Sequence, residues 1–389
     1  MRPSGTTPVT FASPTKPASW SWEATNAQVA ARYGVPIEQV VRFDQNTAPA
    51  PPAAVAALLA DGRFEVALSE YPPSDYARLV TAAASRYGVA REELLVGAGA
   101  DEILDLVAKA FIPAGGAAIV PVPTYPMYGI LTDQRRGSVV RVPRRPRDAG
   151  FALDIDAVRA AAAEPAENGA FPGVVWLCSP NNPTGSAEPA GAIEALLAGL
   201  LRDAETAGRS APTVILDEAY IEFAGDSLAG LRAAYPRLVV LRTMSKAYAI
   251  AGLRVGFAVA RPEVIDEIAV YRPPGSVSTV SVGVATALLA DDTIAAARVA
   301  EISAERERFT AGLRAAGWSP HRSTTNFVLV SFASPEAADV VAEALLQLGL
   351  IPRTFPSGHP LDHCIRLTVR NAEQDDRLIA AAREIGSPA

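Results

Sequence analysis

Hydrophobic positions fall into two alternating patterns along this chain. Short, nearly unbroken apolar runs at Ala117–Val122, Gly173–Cys178, Thr213–Leu216 and Leu238–Arg242 read as strands buried on both faces. Ser74–Tyr87, Asp101–Phe111, Glu188–Ala207 and Thr293–Ala316 carry apolar residues at helical spacing on Ala- and Leu-rich backgrounds. Strand–helix alternation of this kind predicts an α/β fold, a mainly parallel sheet lying between helices. Such sheets place ligands beyond the carboxyl ends of their strands. From Ala290 the pattern changes. A long helix is followed by a strand at Asn326–Phe332, a helix at Pro335–Leu348, a strand at Cys364–Val369 and a last helix, which together suggest a smaller α+β unit. The expected division is an N-terminal arm with part of the small domain over 1–50, a large domain over 51–290, and a small C-terminal domain over 291–389. The Ala/Glu/Gly-rich stretch Ala160–Ala170 reads as a surface helix and loop.

Composition narrows the function classes. Hydrophobic residues make up 49% of the 389, enough for a sizeable core, and the net charge is −7. An acidic chain without a basic tract gains little from a phosphate backbone, so no nucleic-acid partner is expected. Apolar runs fall short of a membrane span. The N-terminal stretch is rich in Pro, Ser and Thr and lacks the apolar segment of a secretory signal. Cys178 and Cys364 form no CxxC or Cys/His cluster, which argues against structural zinc and a disulfide framework. They are expected to be buried, in a protein of the reducing cytoplasm. His359 and His363 could share a helical face, but Pro360 argues for a loop.

Polar motifs follow the apolar strands directly. In LVVLRTMSKAYAIAGLRVGF, Lys246 stands just past a buried run, where partial desolvation lowers an amine's pKa and favours carbonyl chemistry. Thr243, Ser245 and Arg254 add phosphate donors. In TVILDEAYIEF, Asp217 closes an apolar strand and Tyr220 follows three residues later. A magnesium carboxylate is the rival reading of that Asp-Glu, but no GxxxxGK[ST] loop accompanies it. If the ligand is a pyridine-ring cofactor, Asp217 would hold the ring nitrogen protonated and Tyr220 would meet the ring hydroxyl. In WLCSPNNPTG, Asn182 could join Tyr220 there, though Asn-Pro-Gly is also an ordinary turn. In LLVGAGADEILDLVAKAF, Gly99, Ala100 and Asp101 open a helix whose free N–H groups suit a phosphate, as would any plain strand–helix turn. Tyr125, in VPTYPMYG, could stack on a flat ring or simply pack. Arg366 interrupts the apolar IRLTV strand and needs an anion, either a substrate carboxylate or an internal acid.

Taken together and in this order, SPNNPTG, DEAYIEF, RTMSKAYAIAGLRVGF and IRLTV resemble the fold-type I, pyridoxal 5′-phosphate (PLP)-dependent aminotransferases of class I/II, and most closely the histidinol-phosphate aminotransferase family. The resemblance runs from about Val41 to the end of the chain. It implies that Lys246 bonds the cofactor covalently and later carries the substrate proton. It also implies that Asp217 is the pyridine-nitrogen acid, Asn182 and Tyr220 the ring-hydroxyl partners, and Ser245 and Arg254 phosphate ligands. Tyr125 becomes the stacking ring and Arg366 the substrate-carboxylate arginine. Tyr71, in SEYPPSDY, resembles the tyrosine that reaches the partner subunit's phosphate, so a homodimer with shared sites is expected. The partners are then an amino donor and a 2-oxo acid, exchanged by ping-pong kinetics.

The sequence departs from that family near its start. The family's Asn-Glu-Asn-Pro reads Asn46-Thr47-Ala48-Pro49 here, and the preceding arm carries Trp20 and Trp22. This region borders the substrate mouth in the fold, with Asn46 as a candidate substrate contact; Arg353 and Arg322 could help bind a distal phosphate or a second carboxylate, or be ordinary surface arginines. Histidinol phosphate, an aromatic amino acid or an intermediate of a specialised pathway remain open as donors. So do decarboxylation or oxidation on the same cofactor. A non-catalytic PLP-fold sensor is disfavoured by the intact Lys246 and Asp217 and by a short, weakly basic N-terminal segment.

Overall fold

The computed structural model describes residues 23–60 and 69–386; Trp20 and Trp22 lie outside them. Its strands are β1 (Val41–Arg42), β2 (Leu94–Gly97), β3 (Ala117–Val122), β4 (Ser138–Pro143), β5 (Pro172–Cys178) and β6 (Thr213–Asp217). They continue with β7 (Leu238–Thr243), β8 (Gly256–Val259), β9 (Ser319–Pro320), β10 (Phe327–Ser331), β11 (Leu350–Ile351) and β12 (Cys364–Thr368). The α-helices are α1 (Asn26–Tyr33), α2 (Ala53–Ala60), α3 (Ala77–Tyr87), α4 (Gly99–Phe111), α5 (Met127–Gln134) and α6 (Ile155–Ala163). After these come α7 (Ala192–Thr206), α8 (Pro262–Ala269), α9 (Thr279–Leu289), α10 (Asp292–Ala315), α11 (Pro335–Gln347) and α12 (Ala372–Ile385).

Seven strands form one sheet in the order β2-β8-β7-β6-β5-β3-β4. The ladder from β4 to β7 is parallel, and β8 runs antiparallel to both its neighbours. Side chains alternate between two buried faces. Val175, Leu177, Val214, Leu216 and Val240 pack into one core, and Val174, Trp176, Ile215, Val239 and Leu241 into the other. Burial on both sides explains why these strands are continuous apolar runs rather than alternating ones. The parallel ladder also brings the ends of β3, β5, β6 and β7 to a single edge. The α/β architecture with a mostly parallel sheet is therefore the one expected from sequence.

A second, antiparallel sheet has the order β12-β10-β9, and α11 packs against β12. The β1 pair bonds in parallel to β11, through Val41 with Leu350 and Arg42 with Ile351. Two predicted helix starts move inward. The helix expected from Glu188 begins at Ala192, after Gly191 takes a left-handed φ of 76°, and the one expected from Ser74 begins at Ala77 after Tyr76 does the same at 48°. The strands β4 and β8 were not anticipated. β4 is only partly buried, and β8 is a four-residue run directly after the Lys246 loop. Cys178 and Cys364 are free and buried, as expected. His359 and His363 lie in a turn rather than a helix.

Candidate active site

The edge where the parallel strands end gathers most of the polar motifs. Asp217 is the last residue of β6, opposite Cys178 of β5, and is buried. Its Oδ2 accepts a 2.7 Å bond from the Tyr128 hydroxyl, and its Oδ1 accepts the Ala219 amide at 2.9 Å. Burial pushes this carboxyl up; the two donors oppose that shift because they favour its ionised form. Lys246, three residues past β7, is half-buried, with Nζ 5.7 Å from the centroid of the Tyr220 ring. Loss of solvent, reinforced by the positive charge of Arg366, brings its amine down to about 8, while Asp101 and Asp217 pull the other way and Arg254 adds to the lowering. The same amine thus feels groups from three other motifs as well as Arg254 of its own.

A second cluster surrounds the start of α4. Arg254 Nη2 donates to Asp101 Oδ2 at 3.0 Å, and the Tyr125 hydroxyl donates to Asp101 Oδ1 at 3.0 Å. Thr243 Oγ1 donates to Ser245 Oγ at 3.0 Å. Two glycines shape this point, Gly99 through its left-handed backbone and Gly256 through close backbone packing. A Cβ on Gly99, whose φ is 81°, would lie 2.5 Å from the Arg254 guanidinium, and one on Gly256 would lie 2.6 Å from the Gly99 carbonyl carbon. This cradle of main-chain N–H groups, two hydroxyls and a guanidinium fits a phosphate ester, while the buried carboxylate and the amine fit the ring and aldehyde of PLP.

A third group faces them from the other sheet. Arg366, on β12, is buried, and its Nη1 donates to Asn182 Oδ1 while its Nη2 donates to the Asp44 carbonyl; its Nε has no partner among the described residues. Burial lowers its pKa to about 10, so it stays cationic at neutral pH without an acid against it. Asn46 Nδ2 donates to the Tyr220 hydroxyl at 2.9 Å, and burial holds that phenol well above its usual range.

The sequence profile of the family described as aminotransferase class I and II matches residues 39–381. The chain belongs to that family. This aminotransferase is 35% identical over 367 residues to the histidinol-phosphate aminotransferase of Roseiflexus castenholzii, covering 92% of each chain. It is 36% identical over 324 residues to that of Xylella fastidiosa, covering 82% of this chain and 84% of the other. Among solved structures, the histidinol-phosphate aminotransferase from Sinorhizobium meliloti in complex with pyridoxal-5'-phosphate superposes with a TM-score of 0.81 at 26% identity, covering 94% of this chain and 95% of that one.

Not every expected residue lies at the centre of the aminotransferase's site. Tyr71 is 95% exposed. Arg322 is on the surface. Arg353 sits directly opposite Arg366 in an antiparallel bridge, with its side chain 3.5 Å from Glu23 Oε1. Sequence reasoning passed over Tyr128, whose ring stacks on Trp176 at 5.4 Å and meets Tyr125 edge-on at 5.6 Å. The available signal was the Tyr-Pro-Met-Tyr spacing, which places a second ring three residues on, in the first turn of α5. Glu102 was missed as well. Its Oε2 accepts the Ser276 hydroxyl at 2.9 Å and the Ala98 amide, bracing the loop before α4. No single helix among the described residues is long and apolar enough to cross a membrane.

Proposed function

We propose that this aminotransferase holds pyridoxal 5′-phosphate on Lys246 and moves an amino group between an amino acid or amine, histidinol phosphate-like or aromatic, and a 2-oxo acid by a ping-pong route. The observation that carries this reading is that Lys246 Nζ lies 5.7 Å from the centroid of the Tyr220 ring at the strand edge that Asp217 closes, beside the Arg254–Asp101 pair, where Arg366, Asp101, Arg254 and Asp217 all act on its charge. When bound, the cofactor supplies an aldehyde that captures the substrate amine and a protonated ring that draws electrons from its Cα. Asp217 keeps that ring nitrogen protonated, and a cation against it offsets the burial that disfavours its charge. Tyr220 and Asn182 meet the ring hydroxyl, Tyr125 stacks on the ring, and Gly99, Ala100, Asp101, Thr243, Ser245 and Arg254 line the phosphate pocket. Arg366 orients the substrate through its carboxylate, with Asn46 beside it. Lys246, with its lowered pKa, is neutral often enough near pH 8 to take the proton from the substrate Cα.

The molecule works as a cytoplasmic homodimer in which Tyr71 reaches the partner's phosphate pocket; its 95% exposure in the single chain supports this. Residues 51–290 act as the large cofactor domain, and 291–389, with part of 1–50, as the small one. The purified protein loaded with cofactor is expected to absorb in the visible range, and Lys246→Ala to lose that band. A wild type that stays colourless with cofactor present ends the proposal. Half-reactions with a donor panel then name the substrate: the true donor yields its oxo product in proportion to enzyme. A donor consumed without an oxo product defeats transamination.

A further inference from the structure

Directly opposed residues in an antiparallel pair project to the same face, and like charges there destabilise the pairing unless an anion balances them. Arg353 and Arg366 are such a pair, with the Arg353 amide donating to the Arg366 carbonyl at 3.0 Å and the Arg366 amide returning the bond at 2.9 Å. Two guanidinium groups therefore leave one face side by side. Among the described residues Arg366 reaches only neutral acceptors, Asn182 and the Asp44 carbonyl, and keeps one donor unpartnered. Arg353 is balanced differently, by Glu23 Oε1 at 3.5 Å. That same oxygen accepts the Thr354 amide at 3.1 Å and the Thr354 hydroxyl at 3.2 Å.

Glu23 is anchored through the chain that follows it. Thr25 and Gln28 form a capping box at the start of α1, and Arg42 Nη1 donates to the Ala24 carbonyl at 2.9 Å. Val29 of α1 packs with Val40 and Ile351, the residue two before Arg353. Both charged side chains are about one-fifth exposed, at 19% for Arg353 and 23% for Glu23, so the pair is accessible to a solute without being fully screened by water.

We propose that Glu23 is a specificity-determining residue: its carboxylate stands where the second anion of a substrate would meet Arg353, so a substrate with a distal carboxylate or phosphate binds only by displacing it. The inference rests on the assignment of Arg366 to the substrate's α-carboxylate. Substrates whose distal end is uncharged leave the Glu23–Arg353 pair closed. Those with a distal anion exchange one carboxylate or phosphate for another at Arg353, and part of their attraction is spent on releasing Glu23. One site can then accept both kinds of substrate in the two halves of a ping-pong cycle, with Glu23 limiting affinity for the dianionic one.

The test titrates holoenzyme with valerate, glutarate and 3-phosphonopropionate, three unreactive acids that share an α-carboxylate end and differ in distal charge. Binding is read from the visible absorbance of the bound cofactor, without turnover. Glu23→Gln keeps an oxygen for the Thr354 donors and removes the charge. It is expected to tighten glutarate and 3-phosphonopropionate by about tenfold, ~1.4 kcal/mol, and to leave valerate unchanged; the dianion that gains more identifies the distal group. Adding Arg353→Gln is expected to cancel the gain. Equal tightening of valerate, no tightening of either dianion, or a gain that survives Arg353→Gln overturns the role of Glu23 and leaves Arg366 untouched. Valerate that fails to bind wild-type enzyme removes the Arg366 assignment, and this inference with it.

Discussion

Tyr128 shows how a single hydroxyl can set the state of a buried acid. It donates to Asp217 at 2.7 Å from a ring clamped on Trp176. Tyr128→Phe removes a bond that favours the ionised carboxylate, so Asp217 would remain protonated to a higher pH. Turnover is expected to fall about tenfold, since a hydrogen bond to a charged group is worth ~1.5–3 kcal/mol. KM should change little, and the acid limb of the pH profile should move upward. An unchanged acid limb would separate Tyr128 from Asp217. Lys246 carries a second residue-level prediction. Its amine is cationic below about 8 and neutral above, and only the neutral form attacks an aldehyde. The rate at which apoenzyme takes up cofactor should therefore rise with pH through about 8 and level off beyond it. A midpoint near that of an ordinary lysine would show that burial does not perturb this amine.

Among the elements, β8 and α4 illustrate how a glycine can serve two structures. Gly256 belongs to β8, yet a Cβ there would collide with the backbone at Gly99 and Ala100, where α4 begins. Gly256→Ala must push the strand from the helix start. Overpacking of this kind costs about 1–3 kcal/mol, and it should weaken cofactor binding by spreading the phosphate cradle. Urea melts of apoenzyme and a cofactor titration check both; normal values in each would show that the contact yields freely. The same elements show what the sequence made legible. Strand ends are easy to read when an apolar run stops at Asp217 or at Thr243, and these placed the acid and the lysine at one edge. Helix starts slipped because turns with left-handed residues, Tyr76 and Gly191, delay them. The bond from Tyr128 to Asp217 and the place of Glu23 were unreadable for another reason. Spacing marks a second ring at Tyr128 but not its acid, and the partners lie 89 and about 330 residues away, beyond any local window.

At the scale of the whole molecule, Tyr71 separates a self-contained subunit from one that depends on its partner. It is bare in the single chain, and Val270 and Tyr271 are exposed as well, at 80% and 45%. If Tyr71 serves the neighbouring site, each of Tyr71→Phe and Lys246→Ala impairs a homodimer, but mixing the two restores one intact site per hybrid. Refolded mixtures should then show more activity than the sum of the separate variants. Simple additivity would confine Tyr71 to its own subunit.

The short parallel pairing of β1 with β11 has a consequence for how the protein is made. Asn46 follows β1 closely, and it is fixed through its carbonyl by Asn326 Nδ2 and through its amide by Thr368 Oγ1. A growing polypeptide leaving the ribosome thus possesses its lysine and aspartate long before anything exists to seat the asparagine beside Tyr220. The reaction centre matures only after translation has passed Thr368, so a prematurely terminated chain could fold its large sheet and still have no finished place for a substrate.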